Sequence, residues 1–522
     1  MRMLWADWWA KLPYRRYKDW EDRPRRLRAQ FWCLLTLVTG SAYLTWLAHQ
    51  VWQGWSFHTF LFFALEASAL FLIGVLAIDL WYQRFHHPDG LPLEQTFSVD
   101  VFVTCCGEPL EVIRTTLTAV QKLSYSPYTV YVLDDAGDDQ VAALAHSLGF
   151  SYHSRLQAGL PRRDAKSGNL NFGLSLSQGE IILVLDADQV PQPDIISRMI
   201  GFFRLPRVAY VQSRQDYLLP DGDPFYNQDD VFYEAVQLSN DQANAVISCG
   251  SGVLYRRQAL LEIGGFATWN LVEDFTTSYE LVSRGWKGIY FPYALTRGLA
   301  PDTLPGVVQQ RYQWCLDTMR LFFWDNPWRK RGLSFAQRVH FSIVMLAYFM
   351  SGLIIPLFYL LPLYCYVTGR SFLVGQEVNY FIWRGIYLFC TILAFRYLFY
   401  GKHALKQLKM LCGLFPVYAW GTIAAIFYPP GRKPTYRVNL PTVHRSAKTL
   451  VYILPQLSLI SLHVVLPFVA LHYAWASPRL VAANALFSAL AIWILGEMIF
   501  LALSRPRWHT RPHPSLVYNG EV

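Results

Sequence analysis

The chain has 522 residues, is 53% hydrophobic and 16% aromatic, and carries only 16% charged residues. Soluble domains carry roughly 25%, so a wholly soluble protein is excluded. The formal charge of +9 points to membrane topology and not to nucleic acid, because Lys and Arg cluster beside apolar runs, as on cytoplasmic flanks. Eight cysteines without a CxxC pair indicate neither a zinc site nor a disulfide framework.

Residues 1–30 form a basic segment with Arg15, Arg16, Arg23, Arg25 and Arg26. The apolar run that follows is long and lacks a small-residue cleavage site, so it is expected to remain as an anchor. Within 31–94, Phe31–Val51 and Phe57–Trp81 each reach the ~20 residues of a spanning helix, and the uncharged link Trp52–Ser56 predicts a hairpin with cytoplasmic outer flanks. From 95 to 328 strand-like runs alternate with helix-like stretches, which predicts an α/β domain with a mostly parallel sheet. Strands are expected at Val99–Thr104, Thr129–Leu133, Ile181–Leu185 and Val208–Gln212.

Residues 329–404 hold an interfacial segment and two further spans, Phe341–Val367 and Tyr380–Tyr400, and residues 450–503 hold Leu450–Trp475 and Val481–Leu503. Between them, in 405–449, Leu408–Tyr428 is long enough to cross, but Lys406 and Lys409 lie at one end and Arg432, Lys433 and Arg437 at the other. Basic clusters at both ends favour a position along the cytoplasmic surface. This leaves six spanning helices, with the α/β domain, the N-terminus and the tail 504–522 in the cytoplasm.

The chemistry-bearing residues fall at strand ends, where open α/β sheets bind ligands. Ile182–Leu185 runs into Asp186-Ala187-Asp188, two carboxylates suited to hold Mg²⁺ or Mn²⁺ against a diphosphate. Val130–Leu133 ends at Asp134-Asp135, and Val99–Thr104 leads through Cys105-Cys106-Gly107 to Glu108. Lys166, beside a Gly168 turn, suits a phosphate or an ordinary surface turn. Glu273-Asp274 precedes the helix-like Thr276–Ser283, either as a cap or as part of a site.

In order and spacing these segments resemble the family-2 processive glycosyltransferases, most closely the cellulose synthases of bacteria, with hyaluronan and chitin synthases as cousins. The resemblance rests on Asp134-Asp135, Asp186-Ala187-Asp188, Val272-Glu273-Asp274, Gln310-Arg311-Tyr312-Gln313-Trp314 and Ile247-Ser248-Cys249-Gly250-Ser251, and extends over the membrane helices. It implies a GT-A-type α/β domain inserted between transmembrane helices of a plasma or bacterial inner membrane. The implied activity is inverting transfer from a UDP-sugar to a growing β-linked polysaccharide that is translocated as it grows. Asp274, with Glu273, is implied as the base; Asp186 and Asp188 as metal ligands for Mg²⁺ or Mn²⁺; and Thr104, Glu108, Asp134, Asp135, Lys166, Asp186, Gln310, Gln313 and Trp314 as donor contacts. Cys249, Gly250 and Trp314 would line the acceptor. The implied partners are the donor, the acceptor, membrane lipids and accessory envelope subunits, with no nucleic acid.

Three departures qualify the match. Val272 replaces the family Thr, Gln313 replaces an Arg expected to face the diphosphate, and Tyr436-Arg437-Val438-Asn439-Leu440-Pro441 lacks the Thr and Lys of the family's gating loop. A neutral Gln offers no charged fork, so either Arg311 or Lys166 compensates or the donor is handled differently. These departures keep open a glycosyltransferase that adds one sugar to a membrane glycolipid, and chitin-like or mixed-linkage polymers remain further alternatives. Arg507-Trp508-His509-Thr510-Arg511 fits the RxxxR that opens a cyclic-di-GMP-binding barrel in many relatives. With the sequence stopping at Val522, an arginine-rich cytoplasmic flank is the expectation there.

Overall fold

A computed structural model describes residues 23–503 except 82, 85, 87, 88, 94, 220, 221, 271, 374, 400–403 and 435–446. The gating-loop-like Tyr436–Pro441 and the Arg507–Arg511 segment therefore lie outside the described residues.

Helices α1 (Arg23–Gln53) and α2 (Phe57–Asp79) form the first hairpin. Its turn is fixed by a capping box in which the Ser56 and Thr59 side chains satisfy each other's backbone N–H groups. The α/β domain then builds one eight-stranded sheet. Its strands are β1 (Val99–Cys105), β2 (Tyr128–Asp134), β3 (Ser151–His153), β4 (Ile181–Asp186), β5 (Val190–Pro191), β6 (Val208–Leu218), β7 (Val253–Arg256) and β8 (Lys287–Leu299). The order is β3-β2-β1-β4-β7-β6-β8-β5. Neighbours β3, β2, β1 and β4 run parallel, as do β6 and β8, whereas β7 runs against both β4 and β6 and β5 runs against β8. The sheet is thus mixed and mostly parallel.

β1 is buried throughout, and β4 is buried up to Asp186. Strands covered on both faces read as continuous Val, Ile, Leu and Phe runs for that reason, and separate apolar cores fill the two faces. Register places Thr104 beside Asp186 and Cys105 beside Asp134, so the ends of three parallel strands, two of them acidic, converge at one edge.

Around that edge stand three helices of the domain, α3 (Ala165–Leu176), α4 (Glu273–Ser283) and α5 (Leu304–Trp324). The chain then forms α6 (Phe335–Phe349), α7 (Ile355–Thr368), α8 (Glu377–Leu398), α9 (Ala404–Gly413), α10 (Phe415–Ile426), α11 (Leu454–His472) and α12 (Pro478–Leu503). Among the described residues six segments are long and apolar enough to cross a membrane: Arg26–Gln53, Phe57–Asp79, Phe335–Thr368, Glu377–Leu398, Leu450–His472 and Pro478–Leu503. Helices α9 and α10 instead meet at a 59° bend. Lys406 at the start of α9 donates to the Gly222 carbonyl at 2.5 Å, and Arg320 of α5 donates to the Tyr428 carbonyl just past α10 at 2.9 Å. Both ends of the bent pair touch the α/β domain, so the pair returns to the face it left.

The domain is seated on the spans by polar ties. Asp79, at the end of α2, pairs with His340 of α6 at 2.6 Å, and its carbonyl accepts from the Ser239 hydroxyl. Within the membrane, Glu66 of α2 pairs with Arg384 of α8, which also donates to the Tyr380 hydroxyl at 2.6 Å. Glu66 is 3% exposed, so this charge is matched where water is absent.

Candidate active site

The acidic edge of the sheet is built from β2 outward. Asp134 accepts from the N–H groups of Ala136 and Asp138 at 2.8 Å each and from the Tyr152 hydroxyl at 2.9 Å, which holds its carboxylate across the turn after β2. Asp135 forms a two-pronged ion pair with Arg155, at 2.8 and 2.5 Å. The same guanidinium donates to the carbonyls of Arg163 and Ala165, at 2.7 and 3.0 Å. Between those carbonyls Asp164 and Ala165 adopt left-handed backbone, with φ of 67° and 46°. Non-glycine residues rarely tolerate that conformation unless the surroundings enforce it. Arg155 is the enforcing group, and the residue that follows is Lys166.

Lys166 is the hub. Its ammonium pairs with Asp186, lies 3.7 Å from Glu273 and donates to the Gly250 carbonyl at 2.8 Å. Burial works against its charge, but the carboxylates of Asp186, Glu273 and Asp274 outweigh burial and raise its pKa. Thr104 donates to Asp186 at 3.2 Å, and the Asp186 N–H donates to the Ser251 hydroxyl at 2.9 Å. Glu108 accepts from the Cys106 N–H at 2.6 Å. Burial raises the Glu108 pKa, and Asp186 and Asp134 add to the rise. Asp188 is pushed up to about 7 by burial, then by Asp186 and Glu108.

Glu273 and Asp274 occupy the first turn of α4, so the cap and the site are the same place. Asp274 accepts from the Phe275 N–H at 2.6 Å. Burial, then Glu273, pushes its carboxyl up to about 8 against the pull of Lys166. Gly250 has φ of 75°, and a Cβ there would lie 2.8 Å from the Asp274 carboxylate and 3.2 Å from the Lys166 ammonium. Glycine is required twice over, by conformation and by space.

Beyond Asp274 opens a cavity of about 790 Å³. Cys249, Asp274, Arg311 and Trp314 line its domain end, and Leu76, Ile343 and Ile392 line its membrane end. Cys249 is fixed there by its N–H, which donates to Gln212 at 2.7 Å. Arg311 pairs with Asp229 at 3.2 Å and lies 4.7 Å from the Trp314 ring centre.

Of the two cations weighed as substitutes for the missing arginine, Lys166 reaches the acids and Arg311 does not. Gln310 and Gln313 are half-buried on α5 and are absent from the cavity wall that Arg311 and Trp314 share. The structure therefore brings Thr104, Glu108, Asp134, Asp135, Lys166, Asp186, Asp188, Glu273 and Asp274 around one strand edge, with Cys249, Gly250 and Trp314 leading away from it. Sequence reasoning missed Arg155 and Tyr152, which carry no motif; Ser251 closes the Ile247–Ser251 segment that it singled out, but the bond from the Asp186 N–H to its hydroxyl was not legible there.

Among the described residues no three or more His, Cys, Asp and Glu side chains enclose a metal ion. The donor set still fits one. Asp186 and Asp188 offer hard oxygen atoms, Asp186 adds to the rise of the Asp188 pKa, and a divalent cation would relieve that repulsion.

A mixed, mostly parallel sheet with an acidic strand edge stands beside helices long and apolar enough to cross a membrane. Residues 97–316 match the family described as "Glycosyltransferase like family 2". The cellulose synthase catalytic subunit (UDP-forming) of Xanthomonas axonopodis pv. citri is 32% identical over 55% of this chain and 40% of its own length. The subunit of the same description from Pseudomonas fluorescens is 31% identical over 62% of this chain and 46% of its own length. The match therefore spans less than half the length of these relatives. A mannosyltransferase of Pyrobaculum calidifontis, solved with GDP-Man and Mn²⁺, is 17% identical over 65% of this chain and 98% of its own, with a TM-score of 0.49.

Proposed function

We propose that the protein transfers a sugar from a UDP-sugar, with inversion, to the end of a cellulose-like β-glucan and passes the product into the membrane. The observation that carries this reading is the position of Asp274, which belongs both to the acidic cluster around Lys166 and to the cavity wall. A group placed there faces donor and acceptor at once.

The acceptor hydroxyl oxygen attacks the anomeric carbon as the bond from that carbon to the diphosphate oxygen breaks. Asp274 accepts the hydroxyl proton, and UDP departs with the bonding pair. Lys166 presents positive charge beside Asp186, which compensates for the neutral Gln313. Asp186 and Asp188 would hold Mg²⁺ or Mn²⁺, which when bound would supply charge to neutralise the diphosphate. Asp134 and Asp135 lie where the nucleoside would dock, the latter held by Arg155. Trp314 offers an aromatic face to an acceptor sugar.

The test is purified protein in nanodiscs with Mg²⁺ and a panel of UDP-sugars. UDP release with UDP-glucose and a product degraded by β-1,4-glucanase are expected. Release with no donor would refute the reading, and a glucanase-resistant product would refute the linkage.

A further inference from the structure

Arg320 of α5 is wholly buried and belongs neither to the acidic edge nor to the cavity wall. An arginine shut away from water is tolerated where its charge is matched and the arms of its fork are engaged. Here the fork joins two stretches of chain far apart in sequence. On one side it donates to the Trp269 carbonyl at 3.0 Å and to the Asn270 side-chain oxygen at 2.7 Å. On the other it donates to the carbonyls of Tyr428, Pro429 and Arg432, at 2.9, 3.4 and 3.3 Å. Asp317, on the same helix, supplies the counter-charge at 3.4 Å.

Each stretch leads to the site. Asn270 donates at 3.2 Å to the Thr276 hydroxyl, which donates at 3.0 Å to the Val272 carbonyl. Arg320 therefore bears on the first turn of α4, which carries Glu273 and Asp274. The loop 428–433 reaches the opposite side of the site through its last residue. There Lys433 pairs with Asp164, whose backbone is left-handed and which lies two residues before Lys166. One short loop thus grips the turn of Lys166 directly and the turn of Asp274 through Arg320.

We propose that Arg320 and Lys433 are positioning residues that use the loop 428–433 as a brace, holding Asp274 and Lys166 at a fixed separation across the reacting bond. The proposal rests on the transfer reaction above and gives these two side chains a part in it. Each acts through another residue. Arg320 sets where the base stands, so it governs the rate of transfer, and a misplacement of about 1 Å costs up to about a hundredfold. Lys433 sets the turn of Lys166, so it governs donor binding.

The test is steady-state UDP release from UDP-glucose by the full chain in nanodiscs. The constant kcat is counted per UDP-binding site titrated by calorimetry, so that a loss of folded protein leaves it unmoved. Arg320→Lys keeps the charge and loses the fork; kcat should fall at least tenfold while the donor KM stays within twofold. Thr276→Val, a milder change that removes one hydroxyl, should lower kcat about threefold with the same KM. Lys433→Gln should raise the donor KM at least fivefold with kcat within twofold, and Lys433→Arg should keep the original KM. Unchanged kcat in Thr276→Val, unchanged KM in Lys433→Gln, or an equal change of both constants in Arg320→Lys overturns the proposal and leaves the transfer reading standing. No UDP release by the unsubstituted protein with any donor overturns both.

Discussion

Asp274 and its neighbours make predictions that single substitutions check. Asp274→Asn keeps the shape and removes the proposed base, so transfer should fall by about 10²–10⁴-fold. UDP affinity, read by calorimetry, should stay within about threefold, because the proposed nucleotide contacts lie at the ends of β2 and β4. The Asp274 carboxyl, raised to about 8 by burial and Glu273, must be charged to act. Lowering the pH through that value protonates it, so kcat/KM should drop by about tenfold per unit below the midpoint. Bound metal adds positive charge and moves the midpoint down; a rate flat from pH 5 to 9 would remove Asp274 from the role. Gln313→Arg should fold normally, since Gln313 is only half-buried, and should tighten UDP binding. Weaker binding would contradict the view that Lys166 stands in for a missing cation.

At the scale of elements, the turn between β3 and α3 matters more than any strand. Arg155 holds Asp135 and two carbonyls at once, so Arg155→Met strands a buried carboxylate and releases a strained turn. A loss of about 3–5 kcal/mol in domain stability is expected, together with at least tenfold weaker UDP binding, measured by thermal unfolding and calorimetry. Sequence reading reached β1, β2, β4 and β6 because continuous apolar runs ending in acids are distinctive. It passed over β7, whose four residues are too short for a pattern, and β8, whose 13 residues include Pro292 and lack clean alternation. The acids of the site were legible one by one, but their partners were not. Arg155 lies 20 residues from Asp135 and Asp229 lies 82 residues from Arg311, and only tertiary folding discloses such pairs. The bend between α9 and α10 was likewise invisible, although the charges flanking that segment placed both of its ends together.

Across the whole molecule, the α/β domain and the membrane helices are held as one body by matched polar pairs. Glu66 and Arg384 join the first hairpin to α8 inside the bilayer. Removing one partner leaves a naked charge, so Arg384→Met should cost about 3–5 kcal/mol. The double replacement Glu66→Leu with Arg384→Met should recover most of it, as read by detergent melting temperatures. Equal melting of the single and double variants would show the pair to be dispensable.

The sheet order also sets a sequence of events during synthesis. β8 lies between β6 and β5, so on the ribosome the sheet stays open until residue 299 has emerged, with the first hairpin already in the bilayer. β1, β2 and β4 come earlier, and with them the acids of the sheet edge. The wall that holds Ile343 and Ile392 is made last. The nascent chain thus acquires its acidic strand edge first, and the cavity beside Asp274 is completed only when α6, α8, α9 and α10 have followed.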